Sequence, residues 1–192
     1  MTLAKTDSPL SLVNHFLIAM PQLNNSYFAN TVIYMWQHNS EGALGLVINL
    51  PIKMRMTDIF EQLGLTDLRM STANPFILSG GPVETDKGFV LHDADPRWPS
   101  SLAVTEHLSI TTSRDILAAI GRGEGPQNYL IALGCSGWSA GQLEQELVQN
   151  SWFTCLATKD IIFSTEFSKK PDMAAATLGF SMAQLTNDVG YS

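Results

Sequence analysis

The sequence predicts an α+β fold, a mixed α/β chain folded as a compact single domain with a largely antiparallel sheet. Three observations carry this. Apolar runs of strand length outnumber amphipathic helical stretches. They do not alternate regularly with helices, as a doubly wound parallel sheet would require. Two of them, residues 31–38 and 43–49, are joined by the polar link Asn39-Ser40-Glu41-Gly42, which has the length and composition of a β-hairpin loop.

The elements follow in chain order. Residues 1–11 are polar and expected to be loose. Residues 14–20 open the first strand, and a polar loop fills 21–30. The hairpin comes next, and Pro51 ends its second strand. A short helix spans 57–63, with Thr57 as its cap, Asp58 near its positive end and Gly64 as its stop. Residues 76–79 and 88–92 are short strands. The first runs into Gly80-Gly81-Pro82, a tight turn, and the second into the acidic loop 93–99. Residues 102–105 and 108–111 read as edge strands. Thr112-Ser113-Arg114-Asp115 has the capping-box pattern and opens a helix ending near Gly121. Residues 129–133 form an apolar strand suited to the sheet centre. Ser139-Ala140-Gly141-Gln142 is a second capping box, opening a helix with Leu143 and Leu147 on one face. Residues 152–158 and 161–164 read as strands. Pro171 suits the first turn of a helix over 172–185, with Met173, Leu178, Met182 and Leu185 as its apolar face.

Composition bounds the function. The 192 residues are 45% hydrophobic and 15% charged, enough apolar material for a core in one domain spanning 1–192. Eleven Lys and Arg face eighteen Asp and Glu, for a net charge of −7. The basic residues are scattered, so direct binding to nucleic acid is disfavoured. No secretory leader or membrane-length apolar run is present, and two cysteines make no disulfide framework. The expectation is a cytoplasmic protein.

The chemistry-bearing motifs are sparse. Residues 134–138 (GCSGW) read as a Gly-rich turn between a strand and a capped helix. Enzymes often put a nucleophile in such a turn, which makes Cys135 a candidate reactive thiol, although no base lies near it in sequence. Gly80 and Gly81 offer backbone N–H groups to an anion, but no Walker-type lysine follows them. The alternating glycines of 121–126 follow a helix, the wrong order for a dinucleotide fingerprint. The histidines His15, His38, His92 and His107 have no metal-ligand spacing, so neither a metal nor a cofactor is expected. If the segments converge, His38, Gly80, Gly81, His92, Gly137, Trp138 and Gln142 line a ligand or partner surface, with a cleft suited to an anion beside the 134–138 turn.

Several blocks in register carry a family resemblance. Residues 14–21, Val32-Ile33-Tyr34, His38 and 42–49 with Pro51 form the first. Residues 80–83 and 88–92 form the second, and residues 137–147 with Asn150 and Trp152 form the third. Over about 14–163 the chain resembles the AlgH (YqgE-like) family. The resemblance implies a bifurcated sheet with a small β-barrel-like core flanked by helices. It implies no established activity, substrate or cofactor. Family members commonly carry Tyr where this chain has Cys135, which counts against a thiol mechanism. A regulatory or interaction protein acting through a protein partner or small ligand is the first reading. A ligand-binding enzyme and a transcription regulator are the alternatives.

Overall fold

The computed structural model describes residues 10–69, 73–93 and 95–188. Of the stretch 1–11, expected to be loose, only Leu10 and Ser11 are among them, and both are exposed.

One antiparallel run crosses the molecule. The hairpin forms as expected, from β2 (Val32–Asn39) and β3 (Gly42–Val47). β1 (His15–Ala19) pairs with β2, and β10 (Trp152–Leu156) pairs with the far edge of β1. On the other side of β3 lies β9 (Tyr129–Ser139). Beyond it come β6 (Val83–His92), β8 (Ser109–Thr111) and the short edge strand β7 (Ser101–Ala103).

The sheet forks at β9. Its first half pairs antiparallel with β6 on one edge and parallel with β5 (Phe76–Ser79) on the other. Its second half, Ser136 to Ser139, pairs with β3. The parallel pair is the exception in an otherwise antiparallel sheet.

The curl separates three apolar clusters. The concave side buries Phe16, Ile18, Tyr34, Trp36, Leu46 and Phe89, closed by Ile161, Ile162 and Ala174 from the C-terminal region. Convex positions split in two. One cluster, holding Leu17, Ile33, Met35, Trp138 and Trp152, is covered by α3 (Gln142–Val148) through Leu143. The other, holding Ile77, Val90 and Ile131, is covered by α1 (Met56–Gln62) and α2 (Arg114–Gly121).

Four expectations are corrected. The second hairpin strand ends at Val47, ahead of Pro51, and the proline instead opens a further strand, β4 (Pro51–Arg55), a short antiparallel partner of β5, at whose first position a missing N–H is tolerated. Residues 134–138 are not a turn; they are the second half of β9. Residues 161–164 are not a strand. Asp160–Ser164 is a π-helical turn, and the consecutive Ile161 and Ile162 both bury toward one core, which alternating strand side chains do not do. The helix over 172–185 is two pieces, α4 (Lys170–Ala176) and α5 (Met182–Asp188). Gly179 breaks it at φ +85, and Phe180 returns to pack on Phe153 at 4.8 Å. Met173 and Leu178, expected on the buried face, are exposed.

Candidate functional site

Two register slips build the α3 face. In β2 the pairing jumps from Met35↔Gly45 to Gln37↔Leu44, so Trp36 is an extra residue. Alternation is thereby reversed, and His38 lies on the convex side with Ile33 and Met35. In β9, Gly134 takes φ +75 within an irregular stretch of the β6 pairing. Past it Cys135 shares the concave side with Ala132, and Trp138 moves to the convex side. His38, Ala43 and Trp138 then stand in one row across three strands.

α3 closes over that row. The Leu12 N–H donates to His38 Nδ1 at 3.0 Å, so the ring hydrogen sits on Nε2, which donates to Glu144 at 2.6 Å. That bond holds the Glu144 carboxyl below its ordinary range. Glu146 Oε2 accepts from two indoles, Trp138 at 2.9 Å and Trp152 at 2.8 Å, while Gln142 donates to its Oε1 at 3.0 Å. The two tryptophans meet edge to face, 6.1 Å between centroids. The Ser139 backbone N–H donates back to Gln142 Oε1. The sequence-selected His38, Trp138 and Gln142 therefore do converge, as a closed clamp whose polar groups serve one another.

The other selected residues lie elsewhere. Gly80 and Gly81 sit at the fork. The Gly80 N–H donates to Leu133 O, and its carbonyl accepts from Val47 N–H and the Ser136 hydroxyl. Gly81, at φ +153, lies so close to the Cys135 carbonyl that a Cβ would strike it. These glycines permit close packing of strands. Gly137 faces Leu44 and Val83 on the concave side. Cys135 is fully buried, and burial with Glu84 nearby pushes its thiol up to about 11, the reverse of activation. His92 is buried at the far end of β9, paired with Tyr129. It bonds Thr111 Oγ1 at 2.8 Å and meets the Trp98 ring edge to face. Nine residues of strand separate Tyr129 from Trp138, roughly 30 Å at 3.3 Å per residue. The single surface expected to gather His38, Gly80, Gly81, His92, Gly137, Trp138 and Gln142 does not form. Nor does a helix terminus follow Gly137 directly, because β9 continues to Ser139.

Two features escaped sequence reasoning. Lys170 is buried, its Nζ donating to Ile48 O at 3.0 Å and Ile162 O at 2.7 Å above the Phe167 ring. Burial brings its pKa down to about 7. Each of the two carbonyls accepts one N–H of the amine. No sequence signal marks a lysine as buried when its partners are backbone atoms.

The second is a half-enclosed cleft of about 210 Å³ between α1, α2 and the sheet. Ile59, Leu117, Ile131 and Leu133 make it apolar, and Gln62, Asp86, Thr112, Ser113 and Arg114 are its polar residues. Gly88 bares one wall, since a Cβ there would meet nothing within 4 Å. Ser113 holds the N-cap position of α2, but its hydroxyl does not cap the helix. Its Oγ is buried with no hydrogen-bond partner among the described residues. The 112–115 capping pattern was legible in sequence; its failure to close was not. Among the described residues no group of three or more His, Cys, Asp or Glu is placed to hold a metal, and no helix is long and apolar enough to cross a membrane.

A family model described as AlgH-like matches residues 16–183. The chain is similar to a UPF0301 protein of Photobacterium profundum, 44% identical over 187 residues, which covers 95% of this chain and 100% of that one. It is 43% identical to a UPF0301 protein of Chromobacterium violaceum, over 95% and 98% of the two chains. Among solved structures, the solution structure of the AlgH protein from Pseudomonas aeruginosa superposes with a TM-score of 0.76 at 43% identity, covering 95% of this chain and 96% of that one. A crystal structure of a Corynebacterium diphtheriae protein shares the fold at 16% identity and a TM-score of 0.66, over 84% and 86% of the two chains.

Proposed function

This chain belongs to the AlgH-like family, and we propose that it acts in regulation, without turnover, by binding a small ligand and passing its state to a protein partner. One observation carries the reading. The cleft between α1, α2 and the sheet is apolar, half enclosed and edged by an unpartnered hydroxyl, yet no histidine or cysteine lines it. The groups best suited to catalysis are engaged elsewhere: His38 with Leu12 and Glu144, His92 with Thr111, and Cys135 inside the core. A hydroxyl nucleophile needs a base hydrogen-bonded to it, and the cleft's Ser113 Oγ has no partner among the described residues, so the Asp86 carboxylate does not activate it; a binding protein needs only shape and a few convergent polar groups. The net charge of −7 and the scattered basic residues argue that any effect on transcription runs through the partner rather than through DNA. Two buried, unpaired cysteines accord with a reducing, cytoplasmic setting.

Native mass spectrometry of the protein purified gently from its own cells tests this. A reproducible added mass of small-molecule size, released unchanged on denaturation, is the expected result. A bound species released in chemically altered form would overturn the reading in favour of an enzyme.

A further inference from the structure

We infer that the cleft between α1 and α2 takes a free α-amino acid with an apolar side chain of leucine to phenylalanine size. The inference rests on the ligand-binding reading above and names the chemistry of that site.

Size comes first. Pockets for drug-sized molecules run from roughly 300 to 1,000 Å³. This cleft holds about 210 Å³, roughly seven water volumes at about 30 Å³ each. A single amino acid fills such a space, whereas a nucleotide or a long acyl chain would extend out of its open side.

Charge comes second. The walls are apolar, but the two charged groups of the cleft have opposite sign, Arg114 and Asp86. A simple carboxylic acid would be repelled by Asp86, and a simple amine by Arg114. A zwitterion satisfies both. Asp86 stands on the protruding stretch of β6 where the pairing slips between Val83 and Gly88. Its neighbours there, Lys87 and Glu84, pair with each other at 3.5 Å, and Asp86 has no ion-pair partner among the described residues. The Arg114 guanidinium spends one N–H on the Leu63 carbonyl. A guanidinium carries five such donors, so others remain for a carboxylate.

Ser113 comes third. Its buried Oγ has no partner among the described residues, and an unmade hydrogen bond at a buried hydroxyl is destabilising. Ser113 lines the same cleft as Arg114, so a ligand carboxylate held by Arg114 gives that hydroxyl an acceptor once the serine side chain turns toward the cleft. In this pose the ammonium faces Asp86, and the side chain lies over Gly88 against Ile59, Leu117 and Ile131.

The test is calorimetric titration of the full chain with L-leucine and L-phenylalanine. Glycine, N-acetyl-leucine and leucinamide are the comparison ligands, each run also on Gly88→Leu and Asp86→Asn. A Cβ at Gly88 meets nothing within 4 Å, so Gly88→Leu starts from open space and extends into the cleft, and Asp86 is exposed; both variants are expected to keep the wild-type melting temperature. Saturable binding of L-leucine or L-phenylalanine is expected, weakened about tenfold or more by either variant and by blocking either end of the ligand. N-acetyl-leucine binding as well as leucine, with Asp86→Asn unaffected, would overturn the zwitterion. No heat with any amino acid, alongside a different small molecule carried from cells and lost in Gly88→Leu, would overturn the amino acid while leaving the ligand-binding reading standing. A ligand retained in Gly88→Leu would overturn the site.

Discussion

The two convex faces of the sheet are built from similar parts and finished differently. On one, the seven-residue helix α3 closes over His38, Trp138 and Trp152, and Glu144 and Glu146 accept every side-chain N–H of that row. On the other, α1 and α2 stand far enough apart to leave a cleft, with a buried hydroxyl at its edge that bonds to nothing among the described residues. The first face has spent its polar groups on itself. The second has kept some. A patch rich in tryptophan, histidine and glutamate is thus architecture, and the plainer patch of aliphatic residues holds the room for a ligand. Residue types that look chemical in a sequence draw attention to themselves, but function needs unsatisfied groups and space together.

The contrast is sharpest in the cost of removing side chains. Trp138→Ala is expected to lose about 3–5 kcal/mol, because a buried ring is replaced by a cavity. An unchanged thermal midpoint would mean that the α3 face is a binding surface after all. Glu146→Ala comes next. It leaves two indole N–H groups without their acceptor, at about 1–3 kcal/mol for each donor that stays dry, whereas Glu146→Gln keeps an acceptor and recovers most of the loss. Denaturant midpoints of the two variants measure this, and equal losses would contradict the clamp.

Ser113→Ala should behave oppositely, staying within about 0.5 kcal/mol of wild type or gaining slightly, since it removes a polar group that makes no bond. A loss comparable to that of Glu146→Ala would show that the hydroxyl is already satisfied and the cleft is not waiting for a ligand. The smallest effect is acid sensitivity. Glu144 has its pKa lowered by the bond from His38, so its contribution is present above the ordinary value of 4.5 and fades as pH falls through the lower, folded value. Melting curves between neutral pH and that acid range should show a loss in the wild type that is reduced in His38→Ala.

Much of the architecture was readable in the sequence, for identifiable reasons. The hairpin of β2 and β3 announces itself through β-branched and aromatic runs around a polar link. α2 and α3 carry local start signals, and both helices appear. Errors cluster where local pattern is silent. Ile161 and Ile162 make too short a run for any period to be visible, and the chain there takes a π-helical turn. Gly179 lies inside the span 172–185 expected as one helix, and it takes the left-handed conformation that breaks it. For the candidate site, the composition of the α3 row was legible, but the placement of His38 and Trp138 on one face was not. It depends on a slip at Trp36 and another near Gly134, each detectable only from the partner strand.

The sequence by itself determined the class of fold, the family, the acidic surface and the residue types available for chemistry, because composition and short-range periodicity are properties of the chain alone. Tertiary structure decided which of those residues were used up. Whether Lys170 is buried against Ile48 and Ile162, whether Cys135 is reactive or sealed, and whether Ser113 caps its helix are each settled by atoms distant in sequence or by the backbone path around them. Burial and hydrogen-bond satisfaction belong to pairs of groups, and no single residue carries them in its name.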